Sequence, residues 1–121
     1  MKKLFILGSS LLAYSVIAFS QTKKAIETVK IKVPTVQCAE CKTRIENYLL
    51  QTEGISKATV DVKKKICTVT FSTERTNIEI IKTSIANAGY DADDVTANED
   101  SYKLLPKCCK KPEDGGGHPK K

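Results

Sequence analysis

The sequence lacks tryptophan, has only 6% aromatic residues and contains one histidine, His118, close to its end. With so few aromatic side chains, the chain is missing the stacking platforms that bind single-stranded nucleic acid. A single histidine near the terminus leaves no readable pairing of a nucleophile with a base. The net charge of +6 comes from lysines scattered along the chain, which is typical of a solvated surface. We therefore expect neither a nucleic-acid partner nor an enzyme.

The first 20 residues have the pattern of a secretory signal peptide. Lys2 and Lys3 precede an apolar stretch, and the small residue Ser20 stands just before Gln21. The apolar stretch is marginal for crossing a bilayer. We expect residues 1–20 to be cleaved and residues 21–26 to be a linker. The mature protein would then be periplasmic or secreted, with no stable membrane insertion.

All five cysteines follow this leader. An odd number of cysteines in an oxidising compartment fits poorly with a complete disulfide framework. Metal binding and a reactive thiol therefore remain open. The cysteines are Cys38, Cys41, Cys67, Cys108 and Cys109.

The hydrophobic pattern predicts a β-α-β-β-α-β order. Residues 28–33, 55–62 and 67–71 alternate as strands, and Cys67 falls among the buried positions of the third. A helix is expected from about Ala39 to Thr52, and a second follows the capping-box spacing of Thr76 and Glu79. The acid-rich residues 90–97 are predicted as a fourth, edge strand. The simplest packing is a ferredoxin-like α+β sandwich, a four-stranded antiparallel sheet with two helices on one face.

The stretch TVQCAEC places Cys38 on the loop after the first strand and Cys41 in the first turn of the first helix. A helix N-terminus lowers the pKa of a thiol and favours the thiolate. Two soft thiolates suit Cu(I), Hg(II) or Zn(II). Two ligands suffice for linear Cu(I) or Hg(II), whereas Zn(II) needs four and would have to recruit others. A redox disulfide or a structural staple remains open for the same pair.

The segments VKIKVPTVQCAEC, TEGISKATVDVKKKICTVTF and IANAGYDA resemble the heavy-metal-associated domain, which occurs in copper chaperones, copper-transport ATPases and the periplasmic mercury-binding protein. The resemblance covers about Glu27 to Thr96 and implies a domain over residues 27–97. It implies that Cys38 and Cys41 are the metal ligands. Thr35-Val36-Gln37 replaces the usual Gly-Met-Thr, and Val36 is expected in the core. Tyr90 matches an aromatic residue that packs near the metal loop.

The resemblance further implies a non-enzymatic, exported carrier or scavenger. We expect a monomer that binds Cu(I), with Hg(II) and Zn(II) as alternatives. It would pass the ion by thiolate exchange to a metal-transport protein or another thiolate acceptor, which requires an exposed, shallow site. The alternative is a thiol-disulfide protein that uses the same C-x-x-C. Gln37 in place of an aromatic residue, and the element order, argue against a thioredoxin.

Residues 98–121 are rich in Lys, Pro and Gly and are predicted to be a largely disordered tail. Within them, KCCKK places Cys108 and Cys109 among lysines, which should lower both thiol pKa values. On one interpretation these two cysteines reach back as auxiliary ligands to Cys38 and Cys41. On the other, the tail is independent. His118 is expected to be solvated, with an auxiliary ligand role as the alternative.

Overall fold

A computed structural model describes residues 25–116. The predicted signal peptide and His118 lie outside the described residues. None of the helices within the described range combines the length and apolar character needed to cross a bilayer.

A three-stranded antiparallel sheet forms from β1 (Ile26–Lys32), β2 (Ile55–Asp61) and β3 (Ile66–Ser72), in the order β1-β3-β2. Alternate residues point to opposite faces of a strand, so each strand presents one apolar face. Cys67 lies on the central strand opposite Ile31 of β1 and Val60 of β2, and all three are buried. This confirms the prediction that Cys67 is a core residue.

Two helices pack on the buried face of the sheet. α1 (Ala39–Leu50) contributes Cys41, Ile45 and Leu49 to the core, which is the helical spacing expected from the sequence. α2 (Ile78–Asn87) contributes Ile81 and Ile85. The predicted capping box is wrong in detail. The N-cap of α2 is Asn77, whose side chain accepts a hydrogen bond from the Ile80 amide at 2.9 Å.

The predicted fourth strand over residues 90–97 is wrong within the described part of the chain. An isolated bridge between Ala92 and Val95 closes a turn there, and Asp93 has a left-handed φ of 51°. One backbone bond reaches β1, from the Asp93 amide to the Lys32 carbonyl at 2.8 Å, and carboxylates satisfy other amides: the Lys32 amide donates to Asp93 Oδ1 at 2.7 Å and the Ala97 amide to Asp91 Oδ1 at 2.8 Å. Short acidic side chains satisfy backbone amides locally and so compete with a sheet ladder.

The segment after residue 98 also differs from the prediction of a largely disordered tail. It forms α3 (Glu99–Lys103) and two 3₁₀ turns, Lys107–Cys109 and Pro112–Asp114. The Asn98 amide donates to the Ala86 carbonyl of α2 at 2.9 Å, and Leu105 and Cys109 join the hydrophobic core. Leu105 packs over Gly89, where an added Cβ would lie 3.1 Å from the leucine side chain. A prediction from composition misses the docking of this segment, because two apolar residues are enough to hold it on the core.

We predict that Leu105→Ala lowers the free energy of unfolding by about 2 kcal/mol, the lower range for a buried leucine. The neighbouring Leu104→Ala is the matched control, because Leu104 is 84% exposed and Leu105 only 6%. That control should stay within about 0.5 kcal/mol of the unaltered protein. Urea unfolding followed by circular dichroism measures both. Equal effects of the two substitutions would show that the segment does not pack as described.

Candidate metal centre

The loop between β1 and α1 holds the first two thiols at the start of a helix. Cys38 is the N-cap residue of α1, in extended backbone, and Cys41 lies in the first helical turn. Their Sγ atoms are 3.6 Å apart. Val36 is fully buried beneath the loop, as predicted, and its carbonyl accepts a hydrogen bond from Lys65 Nζ at 2.5 Å. The burial of Val36 and its hydrogen bond with Lys65 therefore hold the loop in position.

The 3₁₀ turn Lys107–Cys109 brings the second pair of thiols to the same place. The sulfurs of Cys108 and Cys109 are 3.9 Å apart, and the Cys38 thiol approaches the Cys108 carbonyl at 3.6 Å. The sulfurs of Cys38, Cys108 and Cys109 all lie within 4.8 Å of one another. Cys41 lies outside that group of three, but its Sγ is 3.6 Å from that of Cys38 and its thiol interacts with that of Cys109. The fold thus gathers four of the five cysteines, while Cys67 lies on β3.

These thiols are covered rather than exposed. Cys38 is 7% accessible, Cys41 0% and Cys109 1%, and Cys108 is half-buried. The expectation of an exposed, shallow site is therefore wrong for the chain as described. The C-terminal segment covers the loop that would otherwise face solvent. All five cysteines are free thiols.

The environment separates the pKa values of the clustered thiols. Burial alone would raise the pKa of Cys41, but the side chains of Cys109 and Tyr90 and backbone groups of Gln37 and Cys38 lower it below its usual value. Burial, together with pairing to the Cys41 thiol, raises the pKa of Cys109. Cys41 is therefore the favoured thiolate of this pair, and Cys109 keeps its proton as a donor.

Cys108 differs from what its flanking lysines suggest. Its thiol donates to Glu40 Oε2 at 2.9 Å, and this hydrogen bond, with burial, raises the pKa of Cys108 to about 11. The prediction that lysines lower both thiol pKa values is thus wrong for Cys108 and Cys109. Glu40 was missed as a neighbour because 68 residues separate it from Cys108, and no sequence pattern joins them.

Tyr90 is fully buried beside the thiols, as the resemblance implied. Its hydroxyl has no hydrogen-bond partner of ordinary geometry among the described residues. Burial raises the pKa of Tyr90, and the neighbouring thiols of Cys109 and Cys41 raise it further. A buried hydroxyl without a partner is costly, so a strong acceptor beside it, such as a thiolate, would relieve that cost. Soft sulfurs beside a buried hydroxyl donor suit a thiophilic metal ion.

Comparisons with known proteins agree with this chemistry. A family model described as the heavy-metal-associated domain matches residues 30–91. The mercuric transport protein periplasmic component of Shewanella putrefaciens is 38% identical over 66 residues, covering 54% of this chain and 72% of that protein. A copper-exporting P-type ATPase of Staphylococcus epidermidis is 35% identical over 75 residues, covering 62% of this chain and 9% of the ATPase.

A solved structure is similar to this chain over more than half of its length. The crystal structure of oxidized MerP from Ralstonia metallidurans CH34 is similar with a TM-score of 0.55 and 29% identity, covering 57% of this chain and 96% of MerP. Residues 99–116, which carry Cys108 and Cys109, lie outside the range that the family model matches. The covering segment is thus additional to the matched domain.

We predict that Cys67 resists alkylation in the folded, reduced protein. Burial, with the charge of Glu46, raises the pKa of Cys67 to about 12. Its thiol therefore keeps its proton at about pH 8, where an ordinary cysteine is partly thiolate. Mass spectrometry after iodoacetamide treatment should find Cys67 unmodified, and modified once urea unfolds the chain. Labelling of Cys67 as fast as Cys108 in the folded protein would contradict the described packing.

Proposed function

The chain belongs to the heavy-metal-associated domain family, and we propose that it is an exported protein that binds Cu(I) or Hg(II) through Cys38 and Cys41. The observation that carries this proposal is the pair of thiols 3.6 Å apart at the start of α1. The lowered pKa of Cys41 supports it, because the thiolate is the form that binds metal. Both ions accept two sulfur ligands.

Cu(I) and Hg(II) are both soft ions that bind thiolates, so the pair of cysteines does not by itself distinguish them. Relatives named for mercuric transport and for copper export are both similar to this chain. We retain Cu(I) as the first expectation and Hg(II) as the alternative, with Zn(II) requiring further ligands. The ion is cargo: it enters and leaves by exchange of thiolates, and no chemical step of catalysis is needed.

Transfer to an acceptor is the second part of the proposal. A metal-transport protein or another thiolate donor would replace the sulfurs of this chain one at a time, and we expect the chain to act as a monomer. Because Cys38 and Cys41 are covered, the acceptor would first approach the half-buried Cys108 or wait for the C-terminal segment to move. Oxidation of the pair to a disulfide would block binding, so the protein needs reduced thiols.

We predict that Cys38→Ser with Cys41→Ser weakens Cu(I) and Hg(II) binding by at least about a hundredfold, which corresponds to about 2.7 kcal/mol. Competition titrations against a chromophoric chelator, on reduced protein without oxygen, measure the affinity. Cys67→Ala is the control, since it removes a core thiol that is not in the cluster and should leave affinity unchanged. Unchanged affinity in the double variant would refute the proposal. It would then favour the thiol-disulfide alternative, which a measured reduction potential would test.

We also predict that expression of the full chain in a Gram-negative host delivers the protein to the periplasm. N-terminal sequencing of the periplasmic protein should begin at Gln21. A chain that stays in the membrane fraction with Met1 intact would instead show that the leader is retained as an anchor.

A further inference from the structure

We propose that residues 99–116 are a metal-binding cap, in which Cys108 and Cys109 join Cys38 and Cys41 to form a four-thiolate site for a tetrahedral ion, Zn(II) or Cd(II). The inference rests on the proposed function, because it adds two ligands to the same two cysteines. It extends that function from ions that accept two ligands to ions that require four.

Two of the six sulfur–sulfur distances are close to the tetrahedral value, and three of the four sulfurs lie within 4.8 Å of one another. Four sulfurs at the Zn–S bond length of about 2.3 Å from one ion lie about 3.8 Å from each other. The Cys38–Cys41 and Cys108–Cys109 distances of 3.6 and 3.9 Å lie on either side of the tetrahedral value. The distances between the two pairs that involve Cys38 are 4.8 Å or less. Cys41 lies outside the group of three mutually close sulfurs, so its side chain would have to turn toward Cys108 and Cys109 for all four to meet one ion.

The cap is held in place by contacts that do not involve metal. Leu105 packs over Gly89, and the Asn98 amide is bonded to Ala86 of α2. Within the cap, the Lys111 amide donates to the Tyr102 hydroxyl at 2.9 Å. The backbone therefore presents Cys108 and Cys109 to the loop before an ion arrives. Such preorganisation reduces the entropy cost of gathering four ligands.

The surroundings also suit thiolates with a divalent ion, which together carry a net charge of −2. Lys107 and Lys110 flank the cap cysteines in the sequence, whereas Lys111 pairs with Glu113 at 3.8 Å and Asp114 at 4.0 Å. The Tyr90 hydroxyl, unpartnered among the described residues, gains a thiolate acceptor when Cys41 or Cys109 binds metal. Glu40 opposes metal binding at Cys108, because its carboxylate accepts a hydrogen bond from the Cys108 thiol and so favours the protonated form. Its exposed side chain must turn away when that proton leaves.

X-ray absorption at the zinc or cadmium edge of the purified, reduced protein tests the proposal by counting sulfur neighbours. The unaltered protein should show four sulfurs, at about 2.3 Å for zinc, and one ion per monomer by native mass spectrometry. Cys108→Ser with Cys109→Ser should show two sulfurs and lose at least about a hundredfold in Zn(II) affinity. Cys67→Ala, the matched control, should keep four sulfurs.

Three results would overturn the four-thiolate site: two sulfurs in the unaltered protein, four sulfurs in the Cys108/Cys109 double variant, or one ion shared by two chains. Circular dichroism checks that each variant folds. If the double variant does not fold, Cys108→Ser alone serves, because Cys108 is only half-buried and its loss should leave three sulfurs.

The same variants distinguish this inference from the proposed function. If Cu(I) and Hg(II) affinity depends on Cys38 and Cys41 but Zn(II) affinity does not depend on Cys108 and Cys109, the cap proposal fails and the proposed function stands. If removing Cys38 and Cys41 changes no metal affinity, the proposed function fails, and the four-thiolate site fails with it.

Discussion

The packing of Cys109 against Cys41 is the contact on which the site depends. It joins the C-terminal segment to the first turn of α1 in the interior, where both residues are almost inaccessible. Leu105 anchors the same segment, and burying one leucine is worth about 1.5–3 kcal/mol. The segment cannot leave without exposing this apolar surface. The thiol cluster is therefore a product of core packing, and its geometry is only as stable as that packing.

Burial makes the sulfurs of this site less accessible to an incoming thiolate than those of an exposed C-x-x-C loop. An exposed pair of thiolates exchanges its ion readily, because an incoming thiolate can reach the metal directly. Here Cys38 and Cys41 are covered, and the half-buried Cys108 is the most accessible sulfur of the cluster. Exchange must therefore begin at Cys108 or await local opening of the segment. Under the proposed function, covered sulfurs would release an ion slowly, as expected of a scavenger rather than a fast carrier.

Polar chemistry explains where the sequence predictions were wrong. Asp91 and Asp93 bond to backbone amides and turn the chain where alternation predicted a fourth strand. Flanking lysines predicted acidic thiols at Cys108 and Cys109, but Glu40 and burial raise the pKa of Cys108, and burial with the Cys41 thiol raises that of Cys109. Carboxylates placed by the fold thus outweigh the local pattern at residues 91–97 and at Cys108. Charges distant in sequence act at contact distance, and composition contains no record of them.

Local periodicity by itself determined the three strands, the two main helices and the core positions of Cys67, Ile45 and Leu49, because alternation and helical spacing are properties of short segments. It also identified Cys38 and Cys41 as a pair at a helix start. Only the tertiary structure decided that Cys108 and Cys109 lie against that pair. Contacts across about 70 residues depend on how the cap packs over Gly89, and a segment with only two buried apolar anchors gives no periodic pattern to predict it.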